Sequence, residues 1–539
     1  MEKRVVSAYV MILGLATVMI LRLAELGGGG ELKAAAASQS VYTLTVGQER
    51  GIIYDRNMKP LVGSSSKTVL SVAPGPETLG SLKALLPEEE FMQDLGLLES
   101  GKPVLLVTDA PPKSAQGVEA FSIPVRYARE QTAPHVIGYL SDEGEGVTGI
   151  EKGYDQLLQA YGGQVKTKYL VDARGGVLGG EVYQIEDSRS PDKGGVVLTL
   201  DRDVQKLAER AAQSIEKGAV VVMDAATGEI LAMVSRPDYD VNNVAAALDD
   251  PDGPLFNRAV AAYNVGSTFK FCVAAAALES GIGTSLDYFC GGYYELGEVR
   301  YHCHKRDGHG QITMVEAICQ SCNPYFINLG QRVGAQRLYN MAYAMGFGSA
   351  ARLAEGITSA PGSLPPVSRI GSGELANLSF GQGRLTATPV QLAQMYAVIA
   401  NGGMSVTPTL CRGTTLDGAH LTPETLSPSR RVISEKTAAT LRELLGGVVT
   451  DGSGKRAAPQ YLSAGGKTAS AQTGAYGEDG KEIVHGWFAG IYPLESPRYS
   501  IVVFAEGGEA GGTVPAAVFK EICEGLFLQN GQILSGYGG

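Results

Sequence analysis

Ser64, Ser214 and Ser267 are each followed, three residues on, by a lysine, Lys67, Lys217 and Lys270. On a helix that spacing places a hydroxyl and an amine on one face, a turn apart. An amine held neutral there can take the hydroxyl proton and make serine an acyl-transfer nucleophile without a histidine. Context separates the three pairs. Ser64 lies in a polar, serine-rich turn with nothing apolar to bury it, and Lys217 is favourable charge placement at the end of a helix predicted over 203–217. Ser267 follows Gly266 and opens an apolar helix predicted over 269–278 and ended by Gly281. That context buries Lys270 and leaves Ser267 at a helix N-terminus, where unpaired backbone N–H groups point outward. A free lysine has a pKa of about 10.4, so poising Lys270 near 7 requires roughly 4–5 kcal/mol. Partial burial and a second ammonium nearby both push in that direction.

Two triplets further along the chain supply the rest of such a site. Ser321-Cys322-Asn323 offers a hydroxyl to relay protons and an amide to hold a substrate amide. Lys467-Thr468-Ala469 offers a second cation, able to bind a carboxylate and to repel charge on Lys270. The seven cysteines are an odd number, so in an exported protein at least one is free or intermolecular. Cys290 and Cys303 flank a Gly/Tyr-rich segment and are either bridged or separate thiols. Cys319 and Cys322 have the C-x-x-C spacing of a redox pair or zinc half-site, but read better as buried thiols on a helix over 314–322. His302, His304 and His309 gather near Cys303 without an H-E-x-x-H pattern or a tight four-ligand spacing. The sequence therefore predicts no metal site, and His309 reads as a turn residue.

The elements that must carry these groups fit a chain of 539 residues, long enough for three or four units. Hydrophobic residues at 44% and charged residues at 19% exclude both a disordered chain and a polytopic membrane protein. A net charge of −11 has the wrong sign for binding nucleic acid through its phosphates. Lys3 and Arg4 precede an apolar run over 5–21 followed by Arg22. That run spans about 26 Å as a helix, and a snorkelling Arg22 extends it toward the roughly 30 Å of a bilayer core. It exceeds the apolar stretch of a cleaved signal peptide, the competing reading given the small residues at 34–37. The flanking positive charge places the rest of the chain outside the cytoplasm.

The organisation read from composition is a cytoplasmic stub and transmembrane anchor over 1–25, a Gly/Ala-rich stalk over 26–40, a mostly β domain over 41–190, and a larger domain over 196–530. Within the last, β runs at 219–223, 229–234, 486–492 and 499–505, with a final helix over 515–528, predict an α+β fold. Its antiparallel sheet joins strands from the two ends of the domain.

Together these motifs resemble the class B penicillin-binding proteins, monofunctional peptidoglycan DD-transpeptidases. Arg50-Gly51-Ile52-Ile53-Tyr54-Asp55-Arg56-Asn57, His135-Val136-Ile137-Gly138-Tyr139 and Gly149-Ile150-Glu151 resemble the pedestal motifs of that family. Leu198-Thr199-Leu200-Asp201, Asn257-Arg258-Ala259, Gly308-His309-Gly310 and Gly381-Gln382-Gly383 resemble motifs of its transpeptidase domain. The resemblance implies a five-stranded antiparallel sheet flanked by helices, behind a β-rich pedestal and one membrane helix. It implies Ser267 as acylated nucleophile, Lys270 as its base, Ser321 and Asn323 as the second motif, and Lys467 and Thr468 as the grip on a substrate carboxylate. The backbone N–H groups of Ser267 and Ser470 would form the oxyanion hole, with no cofactor. Implied partners are peptidoglycan stem peptides, β-lactams, the membrane, and a polytopic glycosyltransferase of the shape, elongation, division and sporulation (SEDS) type. A hydrolytic DD-carboxypeptidase or endopeptidase would share the triad, and a non-catalytic β-lactam sensor or scaffold is the alternative of another class. The pedestal argues against the first, and the very short cytoplasmic stub against the second. Two positions depart from the family pattern. Val265 replaces a proline, relaxing the turn before Ser267, and Ala469 replaces a glycine, adding a methyl expected to crowd substrate or β-lactam without abolishing activity.

Overall fold

The computed structural model describes residues 2–28, 40–178, 180, 182–425, 427–477, 480–507 and 512–536. Helix α1 (Glu2–Gly28) is exposed along its described side chains, and its apolar span Lys3–Glu25 has 23 residues, about 34 Å at helical rise. The helix thus runs past Arg22, and its length suffices for a bilayer core of roughly 30 Å. Of the stalk predicted over 26–40, residues 26–28 continue the helix and 29–39 lie outside the described residues.

The chain divides into two compact units, residues 1–51, 63–126 and 159–191 forming one, and 52–62, 127–158 and 192–539 the other. The N-terminal unit holds two three-stranded antiparallel sheets. Gly163–Leu170 lies between Val41–Glu49 and Gln184–Asp187, and Ser65–Val72 lies between Val104–Thr108 and Val118–Val125. Val46, Val69, Ile123 and Val165 form a small core there, and the Ser71 hydroxyl bonds those of Thr167 (2.6 Å) and Tyr169 (2.7 Å). Lys67 points outward from a strand rather than a helix, so the Ser64–Lys67 spacing cannot stack the two groups.

The larger unit is built on five strands: β1 (Gly218–Asp224), β2 (Ile230–Arg236), β3 (Gly465–Tyr476), β4 (Glu482–Tyr492) and β5 (Tyr499–Ala505), in the order β2-β1-β5-β4-β3. Register joins Gly218 to Ala505 and Asp224 to Tyr499, so strands from opposite ends of the domain lie side by side, as the sequence predicted. Nearly every residue of β1 and β5 is buried, because helices cover both faces. Helix α2 (Lys270–Glu279) and helices α3 (Asn323–Val333) and α4 (Pro389–Ala400) contribute to the core on one side, where the Ser500 hydroxyl donates to Ala393 O at 2.8 Å. Helix Arg202–Ala211 and the terminal helix Val514–Gly536 pack on the other.

Two predicted helices are corrected in extent. The one read over 203–217 starts at Arg202, capped by Asp201 Oδ1, and ends at Ala211 before a short 3-10 turn, because Ile215 must turn inward to start β1. Lys217 consequently sits in an ion pair with Asp252 (2.7 Å), away from any nucleophile role with Ser214. The helix read over 314–322 stops at Cys319, since Ser321 takes a left-handed conformation (φ +54°) before α3 begins.

Candidate active site

Ser267 lies not in the first turn of an α-helix but in the 3-10 turn Gly266–Phe269 that leads into α2. The turn is fastened from several directions: Gly266 N–H donates to Gly381 O (3.0 Å), Tyr396 Oη to Thr268 O (3.2 Å), Trp487 Nε1 to Asn264 O (2.9 Å) and Thr268 Oγ1 to Val265 O (2.8 Å). Gly266 has φ +55°, and a Cβ there would lie 3.2 Å from the methyls of both Ala469 and Ala471, so only glycine fits without a shift. Gly381 is equally constrained (φ +79°), because a Cβ would collide with the Gly266 carbonyl oxygen.

One turn on, the Lys270 side chain is fully buried and its Nζ meets three acceptors: Asn323 Oδ1 at 2.7 Å, Ser321 O at 2.8 Å and Ser321 Oγ at 3.1 Å. Ser321 Oγ is in turn 3.0 Å from Ser267 Oγ. The hydrogen-bonded route from serine to amine therefore runs through the second hydroxyl, a bridge that the S-x-x-K spacing does not reveal. The left-handed backbone of Ser321 presents both its carbonyl and its hydroxyl to Lys270, a strained conformation of the sort found where geometry is functional. The three acceptors suit both states of the amine. A neutral Lys270 donates to Ser321 O and Asn323 Oδ1 and accepts from Ser321 Oγ–H, whereas the ammonium donates to all three. Burial, then the Lys467 charge, holds Lys270 well below the ordinary lysine value.

Strand β3 is the sheet edge and runs beside the nucleophile turn, leaving one row of its backbone N–H groups unused by the sheet. Side-chain alternation puts Lys467, Ala469 and Ala471 on the buried face and Ser470 on the exposed one. Lys467 is fully buried, donates to Thr468 O (2.9 Å), and is brought down to about 7 by burial. Thr468 Oγ1 pairs with Ser453 Oγ (2.8 Å), a partner no sequence motif announced. The Ala469 methyl, only 3% exposed, faces Gly266 rather than the side that presents Ser470. The extra carbon thus packs on the turn before the serine instead of projecting into the space expected for substrate.

All seven cysteines are free and buried, so Cys290 and Cys303 are not bridged. The prediction of no metal site meets a finding that sequence spacing hid. Cys290, Cys303, His309 and Cys322 bring their ligand atoms within 4.8 Å of one another. Cys319, the other half of the C-x-x-C pair, is not among them. Spacing alone does not show this cluster, because the four residues come from separate strands and turns.

Residues 218–524 match the penicillin binding protein transpeptidase domain. The chain is similar to Stage V sporulation protein D of Bacillus subtilis, at 30% identity over 536 residues, covering 92% of this chain and 80% of that protein. It is 26% identical to the peptidoglycan D,D-transpeptidase FtsI of Escherichia coli, over 90% of this chain and 85% of that one. The Helicobacter pylori penicillin-binding protein PBP2, solved in complex with MreC, shares the fold at a TM-score of 0.67, with 22% identity, over 91% of this chain and 99% of that one.

Proposed function

The chain belongs to the class B penicillin-binding protein transpeptidase family and is a peptidoglycan D,D-transpeptidase, and on that premise we propose that Ser267 is its acylated nucleophile and Lys270 the base that activates it. The observation that carries this reading is the unbroken path from Ser267 Oγ through Ser321 Oγ to Lys270 Nζ. Ser267 attacks the carbonyl between the two terminal D-Ala residues of a stem peptide, and its proton passes through Ser321 to Lys270. The oxyanion is held by the N–H groups of Ser267 and Ser470, each such donor worth about 10²–10³ in rate. Return of the proton along the same path releases the terminal D-Ala, and an amine from a neighbouring stem peptide then attacks the acyl-enzyme, forming the cross-link as the ester bond to Ser267 breaks and the amine's surplus proton returns along that path to Ser267 Oγ. Asn323 holds the substrate amide, Lys467 and Thr468 hold the carboxylate, and Ala469 shapes the wall behind the serine. β-Lactams acylate the same hydroxyl.

Labelling with fluorescent penicillin, followed by mass mapping of the adduct, tests the assignment. Ser267→Ala is expected to lose the label entirely, while Ser64→Ala and Ser214→Ala keep it, and wild type is expected to yield cross-linked dimer from stem-peptide substrates. An adduct on any other side chain sinks the assignment.

The apolar helix α1 serves as a single-pass anchor that leaves the catalytic unit outside the cytoplasm. The stretches 26–40, 41–190 and 196–530 act as stalk, pedestal and transpeptidase domain in wall synthesis during division or sporulation. The anchor and pedestal contact a SEDS-type glycosyltransferase. Deleting residues 1–40 is expected to abolish co-purification with it, and full recovery without them would place the contact elsewhere.

A further inference from the structure

Beside the serine site, the chain makes an excursion over 289–311 whose burial pattern is unusual. Its buried residues are Cys290, Gly292, Cys303 and Gly308, two thiols and two glycines, while Phe289, Tyr293 and Val299 are exposed. Hydrophobic packing therefore does little to hold it. Its backbone is instead folded for close approach around the sulfurs. Cys290 ends strand Tyr288–Cys290 in register with Gly310, the residue after His309. Cys303 follows the hairpin Tyr293–Leu296/Val299–His302 and donates its N–H to Gly292 O at 2.8 Å. Gly308, at φ +78°, passes so near Cys290 that a Cβ would strike the cysteine carbonyl. The fourth group, Cys322, comes from a different part of the fold, immediately before α3.

We propose that Cys290, Cys303, His309 and Cys322 bind one zinc ion that staples this excursion to the Ser321-Cys322-Asn323 turn. Three thiolates and an imidazole are a ligand set that selects zinc, and four protein ligands leave no open position, as in a structural rather than a catalytic site. The geometry is nearly in place. Tetrahedral zinc with Zn–S bonds of about 2.3 Å sets sulfurs roughly 3.8 Å apart. The four ligand atoms already lie within 4.8 Å of each other, and Cys303 Sγ is 3.5 Å from His309 Nδ1. A disulfide would use two sulfurs and leave the third thiol and the imidazole without a task. Binding displaces any thiol protons to solvent and involves no change of oxidation state. The consequence for the serine site follows from chain connectivity. Cys322 lies between Ser321 and Asn323, whose side chains both bond Lys270, so a metal on its sulfur fixes the strained turn that carries the proton path. In this role Cys322 and its co-ligands are positioning residues.

The test uses the full chain in detergent, purified anaerobically with a thiol reductant and without chelator. About one zinc per chain is expected by elemental analysis, and cobalt in its place is expected to give sulfur-to-metal charge-transfer and tetrahedral visible bands. Cys303→Ser is expected to lose the metal. His309→Ala, the milder change that keeps all three thiolates, is expected to bind zinc at least about ten-fold more weakly, while Cys411→Ser binds it normally. Stripping zinc from wild type is expected to slow penicillin acylation about ten-fold or more, and zinc alone is expected to restore it. The site is overturned by a chain that takes up no zinc, by metal content unchanged in both ligand variants, or by a disulfide joining two of the three thiols in protein isolated from cells. Zinc bound with no effect of its removal on acylation overturns the positioning role. The inference rests on the serine-acylation reading only for that role: failure of that reading would appear as zinc-loaded protein with no adduct on Ser267.

Discussion

Replacing Lys270 by methionine is expected to slow acylation of Ser267 by about 10³–10⁴-fold, the upper part of what a positioned general base contributes, without unfolding the protein. Methionine fills nearly the same volume, so the packing near the Phe326 ring, 5.4 Å from Lys270 Nζ, survives. The pH profile separates lost chemistry from lost structure. In wild type the active form is the neutral amine, so the rate is full above the folded pKa of Lys270 and falls about ten-fold per pH unit below it. Burial and the neighbouring Lys467 charge place that limb well below the ordinary lysine range, so the enzyme works at neutral pH. In Lys270→Met the acid limb assigned to this group should vanish. Ser321→Ala should also be severely impaired, because it removes the bridging hydroxyl 3.0 Å from Ser267 Oγ and 3.1 Å from Lys270 Nζ. The double variant should be no worse than the poorer single one, since the two residues act as one unit. A Lys270→Met enzyme acylating at more than a tenth of the wild-type rate, with its acid limb intact, would show that another group takes the proton.

What the sequence made legible is the part governed by local context. Ser267 could be told from Ser64 and Ser214 because an apolar run follows it, and burial of Lys270 is a direct consequence of that run. The strands at the two ends of the domain were readable from apolar runs broken by turn residues, and their adjacency follows once one sheet must bury both. What escaped is governed by contacts between distant segments. The bridging position of Ser321 depends on a left-handed residue that stops a helix at Cys319, and nothing in the local pattern marks Ser321 for that conformation. The direction of the Ala469 methyl depends on the parity of β3 against Gly266, where a slip of one residue would exchange its face with that of Ser470. The three thiols and His309 reach one place only through two hairpin-like pairings and a helix start, so their separations in sequence carried no ligand pattern.

Lys467→Met should move stability and activity in opposite directions. In the folded protein this lysine titrates at about 7, pushed down by burial from its ordinary 10.5. Between those values the unfolded chain holds a proton that the folded chain does not, so stability climbs as pH rises through that window. Below about pH 7 both states are charged and the full burial cost is present, roughly 5 kcal/mol from a shift of this size, and above the unfolded value it is gone. Methionine carries no such cost, so the variant should melt higher than wild type at pH 6–7, with the gain shrinking steadily toward pH 10. Its chemistry should suffer. Losing the cation assigned to the substrate carboxylate costs about 2–5 kcal/mol in transition-state binding, some 30- to 5,000-fold in kcat/KM. The same charge helps keep Lys270 neutral, so its removal lets the Lys270 pKa rise and shifts the acid limb of acylation to higher pH. Melting curves and acylation rates across pH, measured on the same two proteins, read both effects. A variant that melts below wild type at pH 6.5, or whose acid limb stays where it was, would mean that Lys467 is paired in a way that offsets its burial and that it does not tune the base.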